Sequence, residues 1–185
     1  NVDYTLDFTA SLGGTLTTSS ASTAFQIIHT VAHHIAITRS ASGAAAGVLM
    51  TTQPTIQVQD IENHLVTDGS GSGTSIDVTV SAGGTLSGTQ RIVASGGIGR
   101  FTDLSLAGLK GTYTLSFEAV NMGFSQATQS LVLGYGAADR LAIGTQPVGG
   151  NPSGDNLATQ PVIRVMDAYG NLVENSTANI VATIA

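Results

Sequence analysis

An all-β chain of antiparallel sandwiches repeated in tandem is the fold class this sequence predicts, on three observations. A fifteen-residue phrase, Thr52-Gln53-Pro54-Thr55-Ile56-Gln57-Val58-Gln59-Asp60-Ile61-Glu62-Asn63-His64-Leu65-Val66, returns without a gap as residues 159–173. Short runs alternating apolar and polar residues recur at intervals of about 8–12 residues, separated by glycine-rich turns, as sandwich strands do. No segment carries a helical period over three turns. An offset of about 107 positions is one whole β domain, so the phrase implies serial copies of a unit.

In chain order, Tyr4-Thr5-Leu6-Asp7-Phe8-Thr9-Ala10 alternates with period two, as a half-buried strand does. The phrase recurs as Tyr113-Thr114-Leu115-Ser116-Phe117-Glu118-Ala119. Each is followed by a polar turn and a second alternating strand, through Phe25-Gln26-Ile27-Ile28 and through Ser130-Leu131-Val132-Leu133. The chain therefore opens on the last two strands of one unit, 1–32. Short junctions, His29-Thr30-Val31-Ala32 and Tyr135-Gly136-Ala137-Ala138, lead into Ile35-Ala36-Ile37 and Leu141-Ala142-Ile143. So few linking residues restrict rotation between units.

A complete unit, 33–134, follows. Its strands are expected at 35–38, 48–51, 55–60, 74–80, 84–87, 91–94, 99–106, 112–120 and 126–133. Alternation assigns Ile56 and Val58, then Ile76, Val78 and Val80, then Tyr113, Leu115 and Phe117 to the core face. Residues 135–185 hold the first strands of a further unit. Neither terminal piece closes a sandwich alone, since each leaves strand edges and half a core open. The sequence is thus expected to be a window on a longer array.

Composition narrows the partners. Apolar residues make up 42%, enough for a packed core, whereas charged residues make up only 10%, well under the usual quarter. With a net charge of −6 and Lys110 the only lysine, the chain has no electrostatic footprint for nucleic acid or anionic membranes. No apolar run approaches the roughly 20 residues of a membrane-spanning helix. Cysteine is absent, which suits a bacterial surface protein and also suits the cytosol.

The phrase Val165-Met166-Asp167-Ala168-Tyr169-Gly170-Asn171-Leu172-Val173 resembles the strand-and-turn signature of bacterial immunoglobulin-like repeats of invasin- and intimin-type surface proteins. The opening Leu141-Ala142-Ile143 with Thr145-Gln146-Pro147, and the closing Gly111-Thr112-Tyr113-Thr114-Leu115-Ser116-Phe117, extend the resemblance over most of the chain. It implies immunoglobulin-like antiparallel β-sandwiches in tandem, on an extracellular bacterial surface. Each part also has a physical reason. Asp167 can bond its own turn's amides, while Gly170 and Asn171 tolerate a positive φ. In the first copy Asp60 is retained, and Asn63 and His64 replace Gly170 and Asn171. Tyr113, with Tyr4 at the matched place, is the candidate tyrosine corner, its hydroxyl bonding back to backbone.

Candidate sites weigh little against plain structural readings. His29, His33 and His34 cluster at a junction, but extended residues four apart lie roughly 13 Å from each other. Zinc asks for nitrogens at about 2 Å, so exposed linker histidines are the favoured reading. Asp60, Glu62 and Asp68 fail the EF-hand pattern, because His64, Leu65 and Gly71 stand at its fifth, sixth and twelfth places. A looser calcium site between units, using Asp139 or Asp155, stays open against turn-forming carboxylates. No metal or cofactor is otherwise expected.

There is no Gly-x-Ser-x-Gly elbow, and Glu62, Glu118 and Glu174 are the only glutamates, so no enzyme is expected. Lys110 alone could form an amide crosslink, and its expected loop position argues against one. Asn175-Ser176-Thr177 fits the N-glycan pattern, against an unmodified turn. Phe124, Tyr135 and Tyr169 are the aromatics that could meet a ligand.

The leading expectation is a spacer segment of a long surface protein or fibre. Its partners would be neighbouring repeats, identical chains or a host glycan or protein. An adhesive or carbohydrate-binding module is one alternative. A filament subunit completed by strand exchange is another.

Overall fold

The computed structural model describes residues 3–12, 15–26, 31–149, 152 and 154–183. The all-β expectation holds: among the described residues there is no helix, and sixteen strands follow in order. They are β1 (Asp3–Tyr4), β2 (Asp7–Leu12), β3 (Thr15–Ala21), β4 (Phe25–Gln26), β5 (His34–Arg39), β6 (Ala44–Ala45), β7 (Thr55–Gln59) and β8 (Ser75–Val80). Then come β9 (Gly84–Ser87), β10 (Arg91–Val93), β11 (Ile98–Arg100), β12 (Ser105–Gly108), β13 (Gly111–Ala119), β14 (Ala127–Gly134), β15 (Ala138–Thr145) and β16 (Val162–Asp167).

Between residues 33 and 134 the strands form a five-stranded sheet in the order β10-β8-β13-β14-β6, a three-stranded sheet β11-β7-β5, and a ribbon β12-β9. All pairs are antiparallel except β14 with β6. Alternation along the strands aims one face of each sheet inward. On β7 the inward residues are Ile56 and Val58, on β8 Ile76 and Val78, and on β13 Tyr113, Leu115, Phe117 and Ala119. With Leu131 and Leu133 of β14 they make one continuous core, a sandwich-like arrangement of the two sheets. Phe101 and Phe117 stack there, their rings tilted by 53° with centroids 5.7 Å apart. Each such buried side chain contributes about 1.5–3 kcal/mol of gross stabilisation.

Two expected strands differ. Residues 48–51 form bends around an isolated bridge from Leu49 to Ser105, with a second bridge just beyond them from Thr52 to Ser42. The expected strand 99–106 is interrupted between β11 and β12. Gln53 explains both. Its side-chain amide donates to the carbonyls of Met50 and Leu104, and its oxygen accepts the Leu104 amide. One side chain thus satisfies the Met50 carbonyl and the Leu104 amide, and shares the Leu104 carbonyl with the Met50 amide.

Outside this body lie two-stranded ribbons: β1–β4 and β2–β3 before it, β15–β16 after it. The register of β15–β16 matches that of β5–β7 inside it. Tyr4 lies opposite Phe25 and Phe8 opposite Ser20, whereas Tyr113 lies opposite Leu131 and Phe117 opposite Ala127, so the first ribbons do not keep the β13–β14 register throughout. Leu141 and Ile143 face Val165 and Ile163 as Ile35 and Ile37 face Val58 and Ile56. Both latter pairs carry an irregularity at the same place, after Ile143 and after Ile37.

Candidate functional site: a polar joint between two β units

A densely bonded polar group forms the turn that follows β16. Asp167 ends that strand fully buried. Its Oδ1 accepts the amides of Tyr169 (2.9 Å) and Asn171 (2.8 Å), an Asx-type turn closed on itself. Gly170 completes the turn with φ of 91°, a region glycine enters freely. The Asp167 amide bonds the Asn171 carbonyl at 2.9 Å, and the Val173 amide bonds the Val165 carbonyl at 2.9 Å.

The other carboxylate oxygen ties the turn to the link before β15. Oδ2 accepts the Asn171 side-chain amide (2.8 Å) and the backbone amide of Gly136 (2.8 Å) in the link between β14 and β15. Asn171 carries the contact further. Its Nδ2 donates to the Gly108 carbonyl (3.0 Å), and its Oδ1 accepts the Lys110 amide (2.7 Å), both beside the β12–β13 turn. The Asn171 side chain thus imitates a strand backbone, offering one donor and one acceptor to a neighbour.

Steric fit closes the joint. A Cβ on Gly136 would stand 2.5 Å from the Ala46 carbonyl, and one on Gly47 would stand on the Tyr169 hydroxyl. The Lys110 ammonium pairs with Glu174 at 2.8 Å, but both side chains are half exposed, so the pair adds less than about 1 kcal/mol.

Burial pushes the Asp167 carboxyl up, but the hydrogen bonds from Gly136, Asn171 and Tyr169 outweigh it and lower its pKa to about 2. With four donors on two oxygens and so low a pKa, this carboxylate is spent as an acceptor for fixed donors. It has no spare basicity for proton abstraction near neutral pH.

The first copy of the turn folds alike. Asp60 Oδ1 accepts the amides of Glu62 (2.9 Å) and His64 (2.8 Å). The Asp60 amide bonds the His64 carbonyl at 3.0 Å, and Asn63 takes Gly170's place with φ of 69°. His64, standing at Asn171's place, brings Nδ1 to 3.4 Å from Asp60 Oδ2 and 3.7 Å from Glu62. Asp60, Glu62 and His64 therefore bring ligand-type atoms within 4.8 Å of one another, while Asp68 accepts the Thr67 hydroxyl instead.

The remaining candidates separate. His29 lies outside the described residues. His34 is not an exposed linker residue: it sits half-buried on β5 with Nε2 3.1 Å from Gln59 Oε1, its ring edge-on to His33. Asp139 is exposed beside Arg140, and Asp155 closes an exposed turn through the Pro152 carbonyl. Tyr113 buries its ring and donates its hydroxyl to the Leu109 carbonyl at 2.7 Å. Tyr4, at the matched place, stays 43% exposed with its ring 6.1 Å from Phe25. Phe124 packs on the core, Tyr135 is half-buried at the link, and Tyr169 caps Gly47. Asn175 sits exposed on the turn after the joint.

Sequence reasoning found Asp167, Gly170 and Asn171 as a turn but missed their reach to Gly108, Lys110 and Gly136. The signal for Gly136 was a junction only three residues long, and no local pattern pointed to Gly108 or Lys110.

No family model matches this chain, and no curated protein matches it. Among solved structures, one similar chain is a β-glycosidase from Bacteroides vulgatus, at 12% identity and a TM-score of 0.45. That match covers 71% of this chain and 17% of the glycosidase.

Proposed function

We propose that this chain is a structural spacer segment, built from immunoglobulin-like β units in series, of a long bacterial extracellular protein or fibre. The observation that carries the reading is the Asp167–Asn171 joint. A turn of one β pair is bonded to the link and to the β12–β13 turn of the body before it, so the two parts hold a defined relative angle. The matched registers of β15–β16 and β5–β7 support a serial unit. Asp167, saturated by four donors, acts in this reading as a structural acceptor that fixes the joint.

A spacer needs fixed geometry between units, which distance measurement tests directly. The chain has no cysteine, so spin labels at Val93→Cys and Thr145→Cys, on two exposed strand positions, report one distance. A narrow distance distribution that broadens in Asn171→Ala is the expected result. A broad distribution in the otherwise unaltered chain would overturn the spacer reading.

A further inference from the structure

Early in the body the chain changes sheets. β5 belongs to the three-stranded sheet beside β7, whereas β6 is an edge of the five-stranded sheet and pairs with β14. That pair is parallel and only two residues long, with Ala44 opposite Leu133 and Ala45 opposite Gly134. Just beyond it the Ala46 amide donates to the Gly134 carbonyl at 3.1 Å. At its other end a side chain takes the place of a ladder. Gln129 lies on β14 in phase with the buried Leu131 and Leu133, and its amide group reaches the backbone of Ala41. Its Oε1 accepts the Ala41 amide (2.9 Å), and its Nε2 donates to the Ala41 carbonyl (3.0 Å). Ala41 is buried, so Gln129 pairs two backbone groups that lie away from water. Residues 41–46 are thereby tied to residues 129–134 at both ends.

The direction of the pair decides how it meets tension. In a serial chain, tension enters this body through His33 and leaves it through Gly134. It draws β5 against β7 first, and then draws β6 and β14 past each other along their own length. Two parallel strands pulled from opposite ends strain all their mutual bonds at once. A hairpin pulled open at its free end gives up its bonds one by one. The Gln53 contacts with Met50 and Leu104 lie further along the chain, so they break only after β6 and β14 have parted.

We propose that Gln129 is the mechanical latch of this unit: its two bonds to Ala41 extend a two-residue parallel pair into a hold over residues 41–46 that limits unfolding under tension. All of its parts lie within residues 33–134. The Ala41 bonds break before the barrier to forced unfolding is crossed, and the Gln53 bonds break after it. Loss of the first therefore speeds unfolding under load, and loss of the second does not. The proposal rests on the spacer reading for the tension itself, but the two fail separately. The latch is read from unfolding under load, the spacer from a distance in the unloaded chain.

Single-molecule pulling of the whole chain tests it, with a cysteine added at each end because the chain has none of its own. Unfolding of residues 33–134 is recognised by its length, roughly 340–370 Å of extended chain less the folded span. Pulling reads the unfolding rate and not the equilibrium stability. Gln129→Met keeps the bulk of the side chain and removes both bonds. At fixed force it should unfold roughly 5- to 150-fold faster, the range that two lost hydrogen bonds give. Gln129→Glu keeps an acceptor for the Ala41 amide and should fall between that variant and the unaltered chain; it carries the test if the methionine variant does not fold. Gln53→Ala should stay within about twofold of the unaltered chain under the same load. Protection of the Leu115 and Phe117 amides shows that each variant is folded. Unaltered rates in the Gln129 variants would overturn the proposal, and so would a Gln53→Ala rate raised as far as theirs.

Discussion

Acid should open the joint before it opens the body. Asp167 titrates at about 2 in the folded chain, against an ordinary 3.8. Because the folded value is the lower one, the stabilisation is complete above pH 3.8 and is lost as pH falls through 2. The shift corresponds to at most about 2.4 kcal/mol, an upper figure because the carboxylate, although inaccessible, lies under a thin layer of protein. In exchange terms, the opening equilibrium that exposes the Gly136, Tyr169 and Asn171 amides should rise by up to about 45-fold between pH 5 and pH 1.5.

Hydrogen exchange followed by NMR measures this at the three amides, after correction for intrinsic exchange. Asp77, beside Arg91, and Asp103, beside Thr89, are also held below the usual carboxylate range. Both lie within 33–134, so local amides separate their effects from that of Asp167. In Asp167→Asn the three amides should open more readily at neutral pH and show no acid dependence of their own. Equal acid dependence with and without the carboxylate would refute the argument that it gathers these donors.

Gly136→Ala should broaden or detach the joint while leaving the core amides of β13 protected, because its Cβ would meet the Ala46 carbonyl; the spin-label distance checks it. Phe117→Ala should cost about 3–5 kcal/mol in urea denaturation, since it removes a fully buried ring beside Phe101. Tyr113→Phe should cost about 1–2 kcal/mol by the same measurement, as the Leu109 carbonyl loses its 2.7 Å donor. Gln53→Ala should cost about 2–4 kcal/mol, for it strands the Met50 carbonyl and the Leu104 amide, while the Leu104 carbonyl keeps the Met50 amide.

What the sequence determined by itself is the local part of this protein. Period-two alternation put Ile56, Val58, Ile76, Val78, Leu115 and Phe117 on one face, because side chains alternate along any extended strand. The Asp-x-x-Gly-Asn phrase specified a turn, because an Asx bond and a positive φ are decided within five residues.

Tertiary structure decided everything that depends on which segment lies opposite. The Thr-Gln-Pro phrase recurs at Thr52 and Thr159, yet only the folded body shows why Gln53 is needed: Met50 and Leu104 converge on it from segments fifty residues apart. Alternation alone could not foresee that this amide would break two expected strands. Asn171 likewise announced a turn, and only the fold revealed that its amide bonds Gly108 and Lys110. A local pattern fixes where a side chain points, whereas its partner is set by long-range packing of chain segments that no short window contains.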